Sequence, residues 1–324
     1  MRTPSVIFLL SMLVVEILAR SVPAEDRINF AYISPNAGSS SVLWIAKDAG
    51  IFKKHGLDVN VIYIEGTPKA LMSLFAGELQ VVAGTGPAVA SARVRGADAS
   101  MIMGFEVYLP YYLIATPAIK SVEDLKGKVG ANHSAATSAD FAMRLGLRNI
   151  GLDPERDVNL RVVGATNLRM LMMQQGQAQF TVISTTEREE AEKLGFKVLV
   201  DLASKKIAYP HAGVITSQKI LKEKHDAMLR FGRASVEAIH YFKNNKTQTI
   251  AILKKYAKTD LSTLDSAYAY LKNAIPDMPY PTLEGMKTIL AEMGRTRPEV
   301  LRYDAATMVD TSIVKAIDEE EFLK

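Results

Sequence analysis

The sequence has 324 residues, no cysteine, and 39 basic against 35 acidic residues, so its net charge is +4. The lack of cysteine excludes disulfides, thiolate metal sites and a cysteine nucleophile. The basic residues are spread along the chain rather than clustered, so we expect no nucleic-acid partner.

The N-terminus has the composition of a secretory signal. Arg2 precedes a short apolar run at residues 6–15, and the segment SVPAED offers small residues at the positions of a cleavage site. A membrane anchor is the alternative, but Glu16 interrupts the run well short of the roughly 20 residues that span a bilayer. We therefore expect residues 1–24 to be a cleaved signal peptide and the mature chain to be periplasmic.

Short apolar, β-branched runs then alternate with helical patterns up to about residue 216, which is typical of βαβ units and a mostly parallel sheet. The predicted strands are residues 28–33, 59–64, 80–83, 101–105, 112–116, 128–131, 160–163, 180–184, 197–201 and 213–216. The predicted helices between them lie near residues 40–49, 67–77, 86–95, 136–150, 167–176 and 186–194. From residue 217 onward, apolar spacings of three, four and seven predict helices only.

Two segments favour two α/β lobes over one unbroken sheet of ten strands. YLPYYLIATPAIKSVEDLKGKVGAN leads from one βαβ series to the next through a proline-marked connector, and KKIAYPHAGVITS has the pattern of a return crossing. We predict that lobe 1 comprises residues 25–115 and 209–324, including the helical C-terminal region, and that lobe 2 comprises residues 116–208. The two crossings would form a hinge beside a cleft.

Four loops rich in glycine, serine and threonine each lie between a predicted strand and the next helix. They are SPNAGSSS at 34–41, GTG at 84–86, NHSAATS at 132–138 and STTE at 184–187. Open α/β sheets bind ligands at this edge, where free N–H groups and the helix dipole favour acceptor atoms and negative charge. Helix capping is the alternative for any single hydroxyl, and Ser184 with Glu187 fits a capping box.

We predict ligand contacts from nine residues of these loops and of the aromatic segment FEVYLPYY. They are Asn36, Ser39, Ser40, Thr85, Tyr108, His133, Ser134, Thr137 and Thr185. For Tyr108 the alternative is packing in the hinge, and His211 is a candidate hinge residue. No histidines form a metal-spaced pair, so we expect neither metal nor cofactor. Arg188 follows one loop and could reach inward to clamp an anion.

The consecutive serines at 39–41 raise the alternative of a nucleophile. Gly38 stands two residues before Ser40, but Val42 takes the place of the second glycine in Gly-x-Ser-x-Gly. The Walker, Gly-x-Gly-x-x-Gly and His-Glu-x-x-His patterns are absent as well. We therefore expect a binding protein without catalytic residues. A secreted serine hydrolase and a secreted interaction domain without a closing cleft remain the alternatives.

Several segments resemble the solute-binding proteins of ABC importers in the sulfonate, nitrate, taurine and thiamine-pyrimidine group, which includes NMT1/THI5-like and SsuA/TauA-like proteins. They are AGIFKKHGLDVNV, AGELQVVAGTG, SVEDLKGKVGANHSAATSADF, GLDPERDVNLRVVG and MMQQGQAQFTVIST, and the likeness covers about residues 28–216. Gln80 and Gln179 stand where many members carry aspartate, a position that we expect to serve a local turn. The fungal pyrimidine-synthase branch carries a cysteine cluster that this chain lacks, which argues against that enzymatic role.

The resemblance implies a two-lobed periplasmic-binding-protein-like fold of type II. It also implies that the lobes close on a small polar or anionic organic solute, which is sulfonate-, nitrate- or pyrimidine-like. The protein would deliver this solute to the transmembrane permease subunits of an importer with a cytoplasmic ATPase. We expect the binding protein to be a monomer.

Overall fold

A computed structural model describes residues 26–38, 40–257 and 260–322. The predicted signal peptide and Ser39 therefore lie outside the described residues. The strands are β1 (Asp26–Tyr32), β2 (Leu57–Tyr63), β3 (Val81–Gly84), β4 (Ser100–Tyr108), β5 (Tyr111–Ala115), β6 (Val129–Asn132), β7 (Asn159–Val162), β8 (Phe180–Ser184), β9 (Lys197–Asp201) and β10 (Ala208–Thr216). Each overlaps a strand predicted from the sequence.

Most strands before β10 are separated by α-helices, except that β4, β5 and β6 follow one another, as do β9 and β10, and the remaining α-helices all follow β10. The α-helices are α1 (Ser41–Asp48), α2 (Ile51–Lys54), α3 (Thr67–Phe75), α4 (Gly86–Val94), α5 (Ser138–Asn149), α6 (Thr166–Gln174), α7 (Arg188–Lys193), α8 (Gln218–Glu223), α9 (His225–Asn244), α10 (Lys246–Tyr256), α11 (Leu261–Ala274), α12 (Leu283–Gly294) and α13 (Ser312–Glu319). In the part of the chain that the structure describes, no helix combines the length and the apolarity needed to cross a bilayer.

The strands form two five-stranded sheets, in the orders β2-β1-β3-β10-β4 and β7-β6-β8-β5-β9. In the first sheet β10 runs antiparallel to both of its neighbours, and in the second sheet β5 does the same. The other recorded pairings are parallel. Each antiparallel strand is the one that the chain enters just after it changes sheets. Both sheets are therefore mixed, each with four strands in one direction and one strand opposed, whereas the sequence predicted a mostly parallel sheet.

The chain leaves the first sheet at Leu109 and Pro110. Proline has no N–H for a strand ladder, so the pairing of β4 stops there and β5 starts in the second sheet. The return segment lies alongside, since the Leu109 N–H donates to the Ile207 carbonyl at 2.9 Å. Although our predicted lobe 1 runs to residue 115, β5 pairs in the second sheet. The division into lobes stays a prediction.

The C-terminal helices pack mainly onto the first sheet and its helices. Phe231 of α9 stacks on Phe52 of α2 at 4.9 Å between ring centroids, and Tyr256 of α10 stacks on the fully buried Trp44 of α1 at 4.8 Å. Trp44 thus lies in the core of the first sheet and its helices. Helix α11 extends to the second sheet and contacts the turn at residues 185–187.

Gln80 and Gln179 make the same contacts in the two sheets. Gln80 Oε1 accepts from the Asn29 N–H at 2.9 Å, and Gln179 Oε1 accepts from the Val129 N–H at 3.0 Å. The backbone N–H of each glutamine donates in turn to the carbonyl of the same partner residue. Gln179 also donates to Gly176 in a turn, at 3.2 Å. The expected turn role thus applies to Gln179 only, and both side chains chiefly join neighbouring strands.

We expect Gln179→Leu to lower the free energy of unfolding by about 1 kcal/mol, because the Val129 N–H then loses its side-chain acceptor. Gln179→Glu keeps an acceptor oxygen at the same length and is the control. Urea denaturation of both variants measures the effect. Equal losses in the two variants would contradict this role of the Gln179 side chain.

Candidate functional site

The candidate site lies where the loops after β1, β3, β6 and β8 approach one another. Two adjoining cavities lie between these loops, with volumes of about 70 Å³ and about 130 Å³. Both are lined by Ser34, Pro35, Asn36, Ala165, Thr166 and Glu187. We call the two cavities together the cleft. Its position at the carboxyl ends of strands is the usual place for ligands in open α/β sheets.

A larger cavity, of about 560 Å³, lies between α3, α4, α5 and α12. Much of its lining is apolar, and charged side chains there pair with each other, as Arg144 does with Asp140 at 2.9 Å and Arg148 does with Glu292. Of the predicted site residues that the structure describes, Thr137 alone lines it. We place the site in the cleft, because polar groups from several loops meet there.

Four predicted residues line the smaller cavity of the cleft. They are Asn36, Thr85, His133 and Thr137, which belong to the loops after β1, β3 and β6. Ser40 is fully buried and immediately precedes α1. The structure therefore brings the predicted loops together, while contact between these residues and a ligand stays a prediction.

Ser40 and three other predicted residues are absent from the lining of both cavities. Tyr108 is 52% exposed, Ser134 is exposed, and Thr185 is half-buried beside Tyr270. Two other tyrosines line the smaller cavity, Tyr63 at the end of β2 and Tyr111, the first residue of β5. The chain changes sheets between Tyr108 and Tyr111, so the two rings lie in different surroundings.

Capping occupies some of the loop hydroxyls but not all. Thr137 Oγ1 accepts from the Asp140 N–H at 3.3 Å and donates to the Ser134 carbonyl at 2.8 Å. Ser184 and Glu187 form the predicted capping box. Ser40, in contrast, makes no side-chain cap bond, and its Oγ has no hydrogen-bond partner among the described residues.

His133 is neutral at pH 7. Its Nδ1 accepts from the Ser134 N–H at 2.7 Å, which leaves Nε2 as the protonated nitrogen, 4.0 Å from Glu65 Oε1. Burial, aided by the charge of Arg169, lowers the pKa of His133 to about 4. The ring can thus donate one hydrogen bond toward Glu65 or toward a ligand.

His211 lies on β10 and lines the smaller cavity. Its ring meets Tyr111 edge to face, with 5.2 Å between the centroids, and burial lowers its pKa to about 3. The position is close to the return crossing, where a hinge residue is predicted. No group of histidines and carboxylates in the described ranges has the arrangement of a metal site.

Arg169 of α6 is a cleft residue that the sequence analysis missed. It is 2% exposed, and its guanidinium donates to oxygens of the neighbouring strand β8 and of the segment that leads into α6. The acceptors are Gly164 O at 3.1 Å, Thr166 Oγ1 at 2.7 Å, Thr181 Oγ1 at 2.8 Å and Val182 O at 2.5 Å. Four of its five N–H groups are therefore occupied within the protein. Helical spacing carries no signal that separates such an arginine from a solvated one.

Arg188, the arginine expected to clamp an anion, lies elsewhere. Its side chain is 47% exposed, bonds to Glu192 at 2.7 Å, and places its guanidinium 5.1 Å from the centroid of the Tyr112 ring. Neither cavity includes Arg188 in its lining. Attraction to Glu192, one helical turn away, accounts for this direction.

Glu106 is the second charged residue that was missed. Ala212 of β10 pairs with Glu106 while Gly213 pairs with Gly104, so Phe105 is an extra residue and β4 bulges. The carboxyl group is 3% exposed and accepts from the Tyr270 hydroxyl at 3.4 Å through Oε2. Oε1 has no partner within the described chain. Burial raises the pKa of Glu106 to about 7.

We expect this buried carboxyl to make stability depend on pH. Folded Glu106 keeps its proton up to about pH 7, whereas an unfolded glutamate releases it near 4.5. Relative to Glu106→Gln, the wild-type free energy of unfolding should therefore fall as pH rises, by about 3 kcal/mol once the pH exceeds 7. Urea denaturation of both proteins between about pH 5 and pH 8 measures the difference.

The comparison between wild type and variant isolates Glu106. His133 and His211 act in the opposite direction, since their lowered pKa values make stability fall as the pH drops below 6.5, but both proteins contain them. The neighbouring hydroxyls of Tyr111 and Tyr270 have raised pKa values and stay neutral. Parallel stability curves would show that Glu106 ionises normally.

Comparison with known proteins identifies the family. The sequence profile of the family described as NMT1/THI5 like matches residues 39–249, more than half of the chain. A Brucella abortus (strain 2308) protein, named only as a candidate binding protein, is 26% identical over 257 residues, which are 77% of this chain and 76% of the relative.

Two solved structures show how widely the fold is used. The alkanesulfonate-binding protein SsuA from Xanthomonas axonopodis pv. citri, bound to MOPS, has a TM-score of 0.72 at 16% identity, over 90% of this chain and 99% of SsuA. The desulfurization enzyme DSZB has a TM-score of 0.68 at 11% identity, over 91% and 100%. Binders and an enzyme share the fold, which alone decides neither role. The chain belongs to the NMT1/THI5-like family and has its two-lobed, type II periplasmic-binding-protein-like fold.

Proposed function

We propose that the protein is the periplasmic solute-binding component of an ABC importer. It captures a small polar or anionic organic solute between its lobes and delivers it to the transmembrane permease subunits. The observation that carries the proposal is the cleft, where Asn36, Thr85, His133 and Thr137 line one cavity together with Tyr111. The SsuA and Brucella relatives support binding as the shared role.

The surroundings of the buried serine favour binding over hydrolysis. A serine nucleophile needs a base within hydrogen-bond reach, and a further group must orient that base. Ser40 Oγ has no hydrogen-bond partner in the ranges that the structure describes. His133 Nδ1 is engaged by Ser134, and the buried Nδ1 of His211 has no hydrogen-bond partner among the described residues that could orient the ring. These features weigh against a serine hydrolase.

The size of the cleft limits the solute. An apolar cavity of about 150 Å³ holds one benzene molecule, so a cavity of about 130 Å³ holds a compact solute of about five or six non-hydrogen atoms. Larger solutes require the lobes to move apart about the crossings at residues 109–110 and 202–207. Hinged closure around a ligand is the usual behaviour of such receptors. A secreted interaction domain would have no need of this cleft.

A ligand screen tests the function. The mature protein is mixed with sulfonates, nitrate, carboxylates or pyrimidines, and its Tm is measured, since a ligand that binds only the native state raises Tm. We expect at least one class to raise it, and mass spectrometry of the native protein to reveal a co-purified solute. No shift from any class, together with turnover of an ester substrate, would contradict the proposal.

The role of Ser40 can be separated from general effects of a buried serine. We expect Ser40→Ala to weaken solute binding roughly 2- to 10-fold, because it removes one donor. Its free energy of unfolding should stay nearly unchanged, since the hydroxyl bonds nothing in the described structure. Ser100→Ala is the matched control, because Ser100 is also fully buried and its hydroxyl also lacks a partner among the described residues. Ser100 is the first residue of β4 and does not line the cleft.

Thr137→Ala provides the contrasting case. It should lower the free energy of unfolding by about 1 kcal/mol, because Thr137 caps α5. Titration calorimetry and urea denaturation give the two readouts for each variant. If Ser40→Ala and Ser100→Ala bind the solute equally well, Ser40 does not contact it.

A further inference from the structure

Three oxygen atoms converge beside the loop that follows β1. A β-carbon placed on Gly38 would lie 3.4 Å from Glu106 Oε1, 3.6 Å from Asn36 Oδ1 and 3.8 Å from Thr186 Oγ1. Asn36 and Thr186 line the larger cavity of the cleft, so the free oxygen of Glu106 lies directly behind its wall. Gly38 does not have a left-handed backbone conformation that would require glycine. Glu106 itself is 3% exposed and does not line either cavity, so a ligand group in the larger cavity reaches Oε1 only by displacing part of this wall.

This side of the cleft is rich in hydrogen-bond acceptors. Glu106 Oε1 is buried and lacks a partner in the described part of the protein, as does His211 Nδ1, which is an acceptor in the tautomer protonated at Nε2. Asn36 Oδ1 accepts from the Gly38 N–H, at 3.2 Å, and has a second lone pair available. A ligand that supplied N–H donors would satisfy these atoms, whereas a carboxylate or sulfonate would add further acceptors.

The charged side chains around the cleft are mostly acidic, which also favours a ligand that donates hydrogen bonds. Glu65, Glu187 and Glu190 line its cavities, and Arg169 is the one cationic side chain among the described lining residues. Four N–H groups of Arg169 are already bonded within the protein. With Glu106 added, four carboxyl groups face one arginine. An unpaired buried carboxylate is costly, and a bound cation offsets that cost.

We propose that the solute carries a protonated nitrogen with N–H donors, of the amine or amidine class, and that this group binds Glu106 Oε1. The inference rests on the proposed solute-binding function and narrows it from anionic or polar solutes to organic cations. Glu106 acts as the specificity-determining residue. It selects the charge of the ligand by exchanging its own proton for the ligand cation.

Two pairs of probes, matched in shape and opposite in charge, test the inference. Benzamidine and benzoate share a ring and a planar head group, and acetamidine and acetate form a smaller pair that avoids limits of cavity size. Each is added at millimolar concentration to the mature protein, and Tm and Kd are measured. We expect at least one amidine to bind and both carboxylates to fail.

Variants assign the effect to Glu106. Glu106→Gln should weaken amidine binding at least tenfold, whereas Glu237→Gln, which changes a carboxylate on α9 that pairs with Lys54 and His55, should leave it unchanged. Amidine affinity should also rise about tenfold between about pH 6 and pH 8, as Glu106 ionises. The titratable groups facing Glu106 are Tyr111 and Tyr270, which stay neutral in this range, as does the nearby His211.

The outcomes separate this inference from the proposed function. Binding of benzoate or acetate in place of the amidines, or full amidine binding by Glu106→Gln, overturns the inference while solute binding stands. Failure of both amidines also overturns it, and the wider ligand screen then decides whether the protein binds another solute. Failure of every ligand in that screen counts against the proposed function itself.

Discussion

The change of sheets at Pro110 is the constraint on which the cleft depends. The Leu109 N–H bonds to the Ile207 carbonyl, so the outgoing and returning segments lie side by side. Because β5 and β10 each enter a new sheet antiparallel to their neighbours, the carboxyl ends of the parallel strands in the two sheets can face each other. The loops after β1 and β3 thereby meet the loops after β6 and β8, and no loop forms the cleft alone.

Local pattern was sufficient to locate the strands, but it could not locate all of the site. Apolar, β-branched runs marked each strand, because burial on both faces leaves continuous apolar sequence. The predicted fourth strand ended at Phe105, whereas pairing with β10 extends β4 to Tyr108. Glu106 therefore lay outside every predicted strand. Only the bulged pairing with a strand about a hundred residues away buries its carboxyl group.

The hydroxyl-rich loops illustrate a second limit. Sequence predicts capping and ligand binding from the same residue types, since both need a side-chain oxygen near free N–H groups. Thr137 and Ser184 prove to be caps, while Ser40 precedes its helix without capping it. Backbone angles and distances decide between these cases, and neither is encoded in spacing. The same reason explains why Tyr111, rather than Tyr108, lines the cleft.

Electrostatics links the binding proposal to closure of the lobes. The helix starts suggested an anionic solute, yet in lobe 2 the chain supplies its own carboxylates there, with Asp140 in the first turn of α5 and Glu187 in the capping box. Tyr111 lies at the junction, where the charges of Glu187 and Glu106 both help to raise its pKa. Glu106 lies on β4 of the first sheet and Glu187 follows β8 of the second, so once Glu106 ionises, above about pH 7, their like charges resist approach. A cation bound between them would remove that repulsion and favour the closed arrangement, because it interacts better with two near carboxylates than with two distant ones.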